Sequence, residues 1–206
     1  YFPHVPDGQE FMIYNRFLPG TGDDIFYREI DGSGDGEVFL QTRAAELGPQ
    51  LSPDGRFVIY MSNESGMNEV YLTTFPGAEG KWQVSTNGGA WPRWSRAGDE
   101  IIYRQSSGAG GAIFSVSVQT DPSVRLGTPE RLFGSDELST VDFGSGYAAY
   151  EPTSDPDQLI MLEFAGDQLE RGRLACAVLA DKCGGPCGRN CEVYVLDRVY
   201  GTEVDA

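Results

Sequence analysis

The chain has 206 residues, of which 40% are hydrophobic and 12% aromatic, so it can bury a core and wholesale disorder is excluded. Fifteen basic residues against 31 acidic ones give a formal charge of −16, which argues against nucleic acid and anionic membrane surfaces, because both demand a basic patch. No apolar run approaches the length of a membrane span, and the 27 Gly and 12 Pro, with Tyr, Phe and Val in short runs, favour many short strands joined by tight turns.

The first unit begins at once. Val5-Pro6-Asp7-Gly8 precedes the apolar run Phe11-Met12-Ile13-Tyr14, and Ile25-Phe26-Tyr27 follows. The second unit is the clearest: Ser52-Pro53-Asp54-Gly55, then Phe57-Val58-Ile59-Tyr60, then Val70-Tyr71-Leu72. The tetrapeptide is a hairpin turn. Pro53 fixes φ at the first central position, Asp54 tolerates the second and can bond its own backbone, and Gly55 supplies the positive φ that ends the turn in a bulge. In the third unit Ser95-Arg96-Ala97-Gly98 precedes Ile101-Ile102-Tyr103, and Ile113-Phe114-Ser115 follows. A degraded fourth copy runs through Ser154-Asp155-Pro156-Asp157 and Leu159-Ile160-Met161-Leu162.

The turn glycines Gly8, Gly55 and Gly98 are spaced by 47 and 43 residues, and the second landmarks by 45 and 43. Two landmarks in step define an internal repeat. Its second copy predicts four strands: Pro49–Leu51, Phe57–Ser62, Glu69–Phe75 and Trp82–Thr86. Four antiparallel strands per period is the pattern of a β-propeller blade. We therefore expect an all-β fold of about four four-stranded blades, at 1–45, 46–89, 90–135 and 136–164, as part of a larger ring. A divergent Cys-containing tail follows at 165–206, where Glu192–Leu196 reads as a strand able to join a blade. The chain is read as a piece of a longer polypeptide, whose remaining blades or other domains would be its first partners.

From Gly48 to Phe133 the sequence resembles a known family. Leu51-Ser52-Pro53-Asp54-Gly55-Arg56, Ser62-Asn63-Glu64-Ser65-Gly66 and Asn68-Glu69-Val70-Tyr71 carry the likeness. Phe75-Pro76-Gly77, Lys81-Trp82-Gln83-Val84-Ser85-Thr86, Pro92-Arg93-Trp94-Ser95, Gly127-Thr128-Pro129 and Leu132-Phe133 extend it. This stretch is similar to the TolB-type, WD-like propellers of bacteria, and most similar to those at the C-terminus of bacterial Ser/Thr protein kinases. The resemblance implies a propeller used for protein or ligand recognition outside the cytoplasm, periplasmic or at the cell surface, without catalytic residues or cofactors. The third copy departs from it with Arg96-Ala97, and no kinase motif is present.

Candidate sites weigh towards structure. His4 is the single histidine, placed just before the first turn, and is read as structural rather than as a general base. Asp31-Gly32-Ser33-Gly34-Asp35-Gly36-Glu37 starts like a calcium loop, but Thr42 stands where the bidentate Glu is required, so a glycine-rich hairpin loop is expected. Cys176, Cys183, Cys187 and Cys191 match no zinc pattern; disulfides, free thiols and a metal all stay open. Trp82, Trp91 and Trp94 are expected between blades rather than in a ligand groove. The structural turn residues are Pro6, Asp7, Gly8, Pro53, Asp54, Gly55 and Gly98; no catalytic, cofactor or metal residue is assigned. Three functions compete: a recognition or sensor propeller, such as a kinase sensor or a periplasmic scaffold; the gating propeller of a prolyl-oligopeptidase-like peptidase; and an enzyme with its site in the central channel.

Overall fold

The structure is a computed structural model that describes residues 8, 10–32, 34–107, 110–134, 150–153, 158–164 and 191–197. Fifteen strands and no helix occur among the described residues. They form four antiparallel sheets that follow chain order. The first holds β1 (Phe11–Leu18), β2 (Gly22–Glu29) and β3 (Glu37–Leu40). The second holds β4 (Glu46–Leu51), β5 (Phe57–Ser62), β6 (Glu69–Thr74) and β7 (Lys81–Gln83). The third holds β8 (Ala90–Trp94), β9 (Glu100–Ser107) and β10 (Gly110–Gln119), with both β11 (Arg125–Leu126) and β12 (Glu130–Gly134) pairing β10. The fourth holds β13 (Tyr150–Pro152), β14 (Gln158–Phe164) and β15 (Cys191–Asp197).

Strand ends differ slightly from the expected ones. β4 starts at Glu46 rather than Pro49 because its pairing with β5 is interrupted between Leu47 and Gln50 and resumes beyond the irregularity. Gly48 sits there at φ 59° with the Trp91 ring against it, a position where a side chain has neither the conformation nor the room. The expected strand at Glu192–Leu196 lies within β15, which pairs with β14 from Gln158↔Asp197 to Phe164↔Cys191.

The repeat also survives in the backbone hydrogen bonds. Ile30 N–H donates to the Glu10 carbonyl at 2.8 Å, Phe75 N–H to Arg56 at 2.8 Å and Val118 N–H to Asp99 at 2.7 Å. The three bonds close the same end of three successive sheets.

Packing explains why the strand runs are apolar on both faces. All six residues of β5 are buried. Phe57 and Ile59 join Val70, Leu72, Trp94, Ile101, Tyr103 and Val116 in a core between the second and third sheets. Val58 and Tyr60 join Ile13, Ile25, Phe39, Leu51 and Tyr71 in a core between the first and second. A fully buried Ile or Val contributes about 1.5–3 kcal/mol by this burial, so each sheet is held chiefly by its neighbours.

Candidate functional site

The two described turns are built alike. Ser52 N–H donates to the Phe57 carbonyl at 2.8 Å, and Ser95 N–H to the Glu100 carbonyl at 2.9 Å. Gly55 and Gly98 N–H groups close the turns onto the Ser52 and Ser95 carbonyls at 2.9 and 3.0 Å. Each serine hydroxyl accepts a second bond, from Phe57 N–H at 3.0 Å or Glu100 N–H at 3.1 Å. Each also donates to a carboxylate: Ser52 to Asp54 at 2.6 Å, Ser95 to Asp99 at 2.8 Å. Ala97 thus removes the acid of the Pro-Asp pair from the third turn, and Asp99 restores the interaction from farther along. Burial works against the Asp54 carboxylate, but bonds from Ser52, the Arg56 N–H and the Arg56 guanidinium outweigh it and hold its pKa below the usual value.

Polar side chains tie neighbouring sheets together. Trp94 N–H donates to Gln50 Oε1 at 3.4 Å, joining β8 to β4. The Tyr150 hydroxyl donates to the Trp91 and Ile102 carbonyls, and Arg93 Nε pairs with Glu151 Oε2 at 3.0 Å, joining β13 to the third sheet. At the surface the Arg56 guanidinium bridges Asp54 at 2.8 Å and Asp121 at 3.0 Å.

Two buried acids anchor the links between sheets. Asp24 and Glu69 each stand one residue before the second landmark of their unit. Glu69 accepts the Ser85 hydroxyl on Oε2 and Gly88 N–H on Oε1 at 2.9 Å, while Ser85 Oγ accepts Val70 N–H at 2.8 Å. Asp24 Oδ2 accepts the Thr21 hydroxyl at 2.6 Å and the Gln41 amide at 3.1 Å. Gln41 and Ser85 lie in the links β3–β4 and β7–β8, so each acid fastens a sheet to the start of the next. Nearby Glu46 is buried and accepts the Thr42 hydroxyl at 2.5 Å. Burial pushes its carboxyl pKa up; the Thr42 bond opposes this, and the charges of Asp24 and Glu64 add to it.

Among the described residues, two cavities open at the turn-bearing end. One, of about 580 Å³, is walled by Phe11, Tyr27 and Pro76 and by Gly32, Gly34 and Gly36. Arg28, Glu29 and Glu37 complete its lining. The Tyr27 hydroxyl donates to Glu37 Oε2 at 2.7 Å, which raises the tyrosine pKa. A Cβ on Gly36 would stand 2.8 Å from the Tyr27 carbonyl and run into the Tyr14 hydroxyl, which itself donates to the Asp35 carbonyl at 2.6 Å. The other cavity, of about 340 Å³, lies between the two turns beside Ser52, Asp54, Trp94, Ala97, Gly98 and Thr120. Among the described residues no group of three or more His, Cys, Asp or Glu could hold a metal ion.

No family model and no curated protein matches the sequence. Solved structures do match the fold. TolB from Acinetobacter baumannii aligns with a TM-score of 0.61 at 16% identity, over 95% of this chain and 40% of its own. A TolB-like protein from Agrobacterium tumefaciens aligns with a TM-score of 0.55 at 19% identity, over 65% of this chain and 49% of its own. The β-propeller domain of the Trilobed protease from Pyrococcus furiosus aligns with a TM-score of 0.51 at 10% identity, over 97% of this chain and 54% of its own. The sheets are β-propeller blades. This chain spans about half the length of these propeller proteins, or less.

Within the blades, Gly8, Gly55 and Gly98 stand at φ 77°, 71° and 76°, the left-handed region that favours glycine. Pro53 and Asp54 form the centre of the second-blade turn. Pro6, Asp7, His4, Ser154–Asp157, Cys176, Cys183 and Cys187 lie outside the described residues; the backbone of Cys191 begins β15. Trp94 belongs to the inter-blade core and Trp82 packs against it. Trp91 covers Gly48 of the preceding blade. Sequence reasoning placed Glu69 and Ser85 in the family likeness but gave neither them nor Asp24 and Gln41 a part in these joints, although the shared offset of the two acids from the second landmark was a usable signal.

Proposed function

We propose that the chain is a non-catalytic recognition or sensor module that contributes its blades to a larger, extracytoplasmic propeller, such as the sensor end of a bacterial Ser/Thr kinase. The observation that carries the reading is the placement of both cavities. They open where β1, β5 and β9 begin and β2, β6 and β10 end, among loops positioned by stacked sheets. Loops on a rigid scaffold are where binding surfaces concentrate. Arg93 on β8 is engaged with Glu151 of the next blade. TolB-like propellers among the structural neighbours support an extracytoplasmic setting. The remaining blades would come from another part of the same polypeptide, because an array that ends in open sheets leaves apolar faces uncovered.

The test places a photoreactive amino acid at Thr120, beside the smaller cavity, or at Met67, in the link at the opposite end. Cell-envelope adducts are expected from the first position and not the second. A panel of esterase, peptidase and phosphatase substrates should show no turnover. Reproducible turnover lost in His4→Ala would sink the non-catalytic reading.

A further inference from the structure

We infer that the cavity of about 580 Å³ receives lysine or arginine side chains from a basic segment of a protein partner. The inference deepens the recognition reading and rests on it. Its volume lies within the range of ligand sites, roughly 300–1,000 Å³, and exceeds what one side chain fills.

Charge selects the occupant. Glu29 and Glu37 line the cavity, and Glu10, Asp31 and Asp35 are exposed on the segments that border it. Arg28 is the one cation in the lining. Among the described residues neither Glu29 nor Glu37 forms an ion pair. Tyr27 fixes Glu37 by its hydroxyl on Oε2, and Oε1 makes no hydrogen bond within the described residues. An anionic ligand meets repulsion at this place, and a cation finds Glu37 already held in position with Glu29 in the same lining.

The apolar wall selects the form of that cation. The Phe11 and Tyr27 rings stand edge-to-face at 5.9 Å, and Pro76 extends the wall from the second sheet. Lysine and arginine carry a charge on an apolar stem, so the stem lies along the rings while the head meets the carboxylates. The glycine backbone at 32, 34 and 36 keeps side chains out of the space, and at Gly36 none fits.

The full 206-residue chain is titrated with a fluorescein-labelled Gly-Ser peptide carrying several lysines, at physiological salt, with anisotropy as the readout. The double variant E29Q/E37Q is compared with E64Q/E130Q, which changes the net charge equally but away from the cavity. E29Q/E37Q should weaken binding about fivefold or more, and Phe11→Leu about twofold or more. E64Q/E130Q should leave binding unchanged, and the peptide with acetylated lysines should not bind. Equal weakening by both double variants would assign the attraction to the acidic surface at large and overturn the inference. So would equal binding of the acetylated peptide. If spermidine binding depends on Glu29 and Glu37 and peptide binding does not, the site takes free amines, and the protein partner is refuted. Envelope adducts at Thr120, by the smaller cavity, together with a larger cavity blind to the peptide would sink this inference alone and leave the recognition reading standing.

Discussion

Ser85→Ala is expected to be among the most damaging single substitutions in the second blade. Ser85 is fully buried and Glu69 is 3% exposed. Removing the hydroxyl leaves Glu69 Oε2 without its donor and Val70 N–H without its acceptor, both out of reach of water. A buried polar group left unpaired costs about 1–3 kcal/mol, and more when it is charged. The two together come to about 3–5 kcal/mol, roughly a fifth or more of the stability of an ordinary domain. For a chain of this length that corresponds to a fall in Tm of roughly 6–20 °C. Thermal and urea melts read the effect directly. The same substitution in the Glu69→Gln background should be milder by about 1 kcal/mol or more, since the oxygen abandoned there is neutral. A loss of less than about 0.5 kcal/mol, or an equal loss in both backgrounds, would show that the joint does not hold the link between the second and third blades.

Other outcomes follow from the same geometry. Gly55→Val should lower stability by about 1 kcal/mol or more, because φ 71° is a conformation a β-branched residue disfavours; an unchanged melting temperature would contradict the turn. Glu46→Gln should stabilise the protein near neutral pH and not at pH about 4. The pKa of Glu46 is raised in the folded state, so the stability tied to its neutral form is complete below the unfolded value and is lost as pH rises through the folded one. Melting curves of wild type and variant that stay parallel from acid to neutral pH would refute this.

Much of the fold was legible because the turn tetrapeptide and the second landmark are local signals. Phe57–Ser62 could be read as a strand from its residues alone, and its burial on both faces follows from the run Phe-Val-Ile-Tyr. The joints were not legible in the same way. Glu69 and Ser85 are separated along the chain by the whole of β7, and only the pairing of β6 with β7 brings them together. Asp99 was invisible as a turn residue because the eye looks for the acid beside the proline; in the third blade it sits beyond the glycine. The larger cavity depended on Pro76 of the β6–β7 link and Phe11 of β1 coming to line one space, which no spacing rule contains. β15 was readable from its run Val193-Tyr194-Val195-Leu196, but not its partner, because a long intervening segment separates it from β14.

The burial of all six residues of β5 has a consequence for how the chain finds its alignment. In a half-exposed strand, a slip by one residue throws greasy side chains into water, and the error corrects itself. A strand that is greasy all round carries no such mark: Val58 and Ile59 would each be welcome where the other belongs. Alignment must then be dictated from outside the strand. The Ser52 clamp on Phe57, through backbone and hydroxyl at 2.8 and 3.0 Å, is that dictation. Seen so, the tetrapeptide is less a way of reversing direction than the pin of a gauge, and Asp99 in the third blade keeps the pin seated after the original acid is gone.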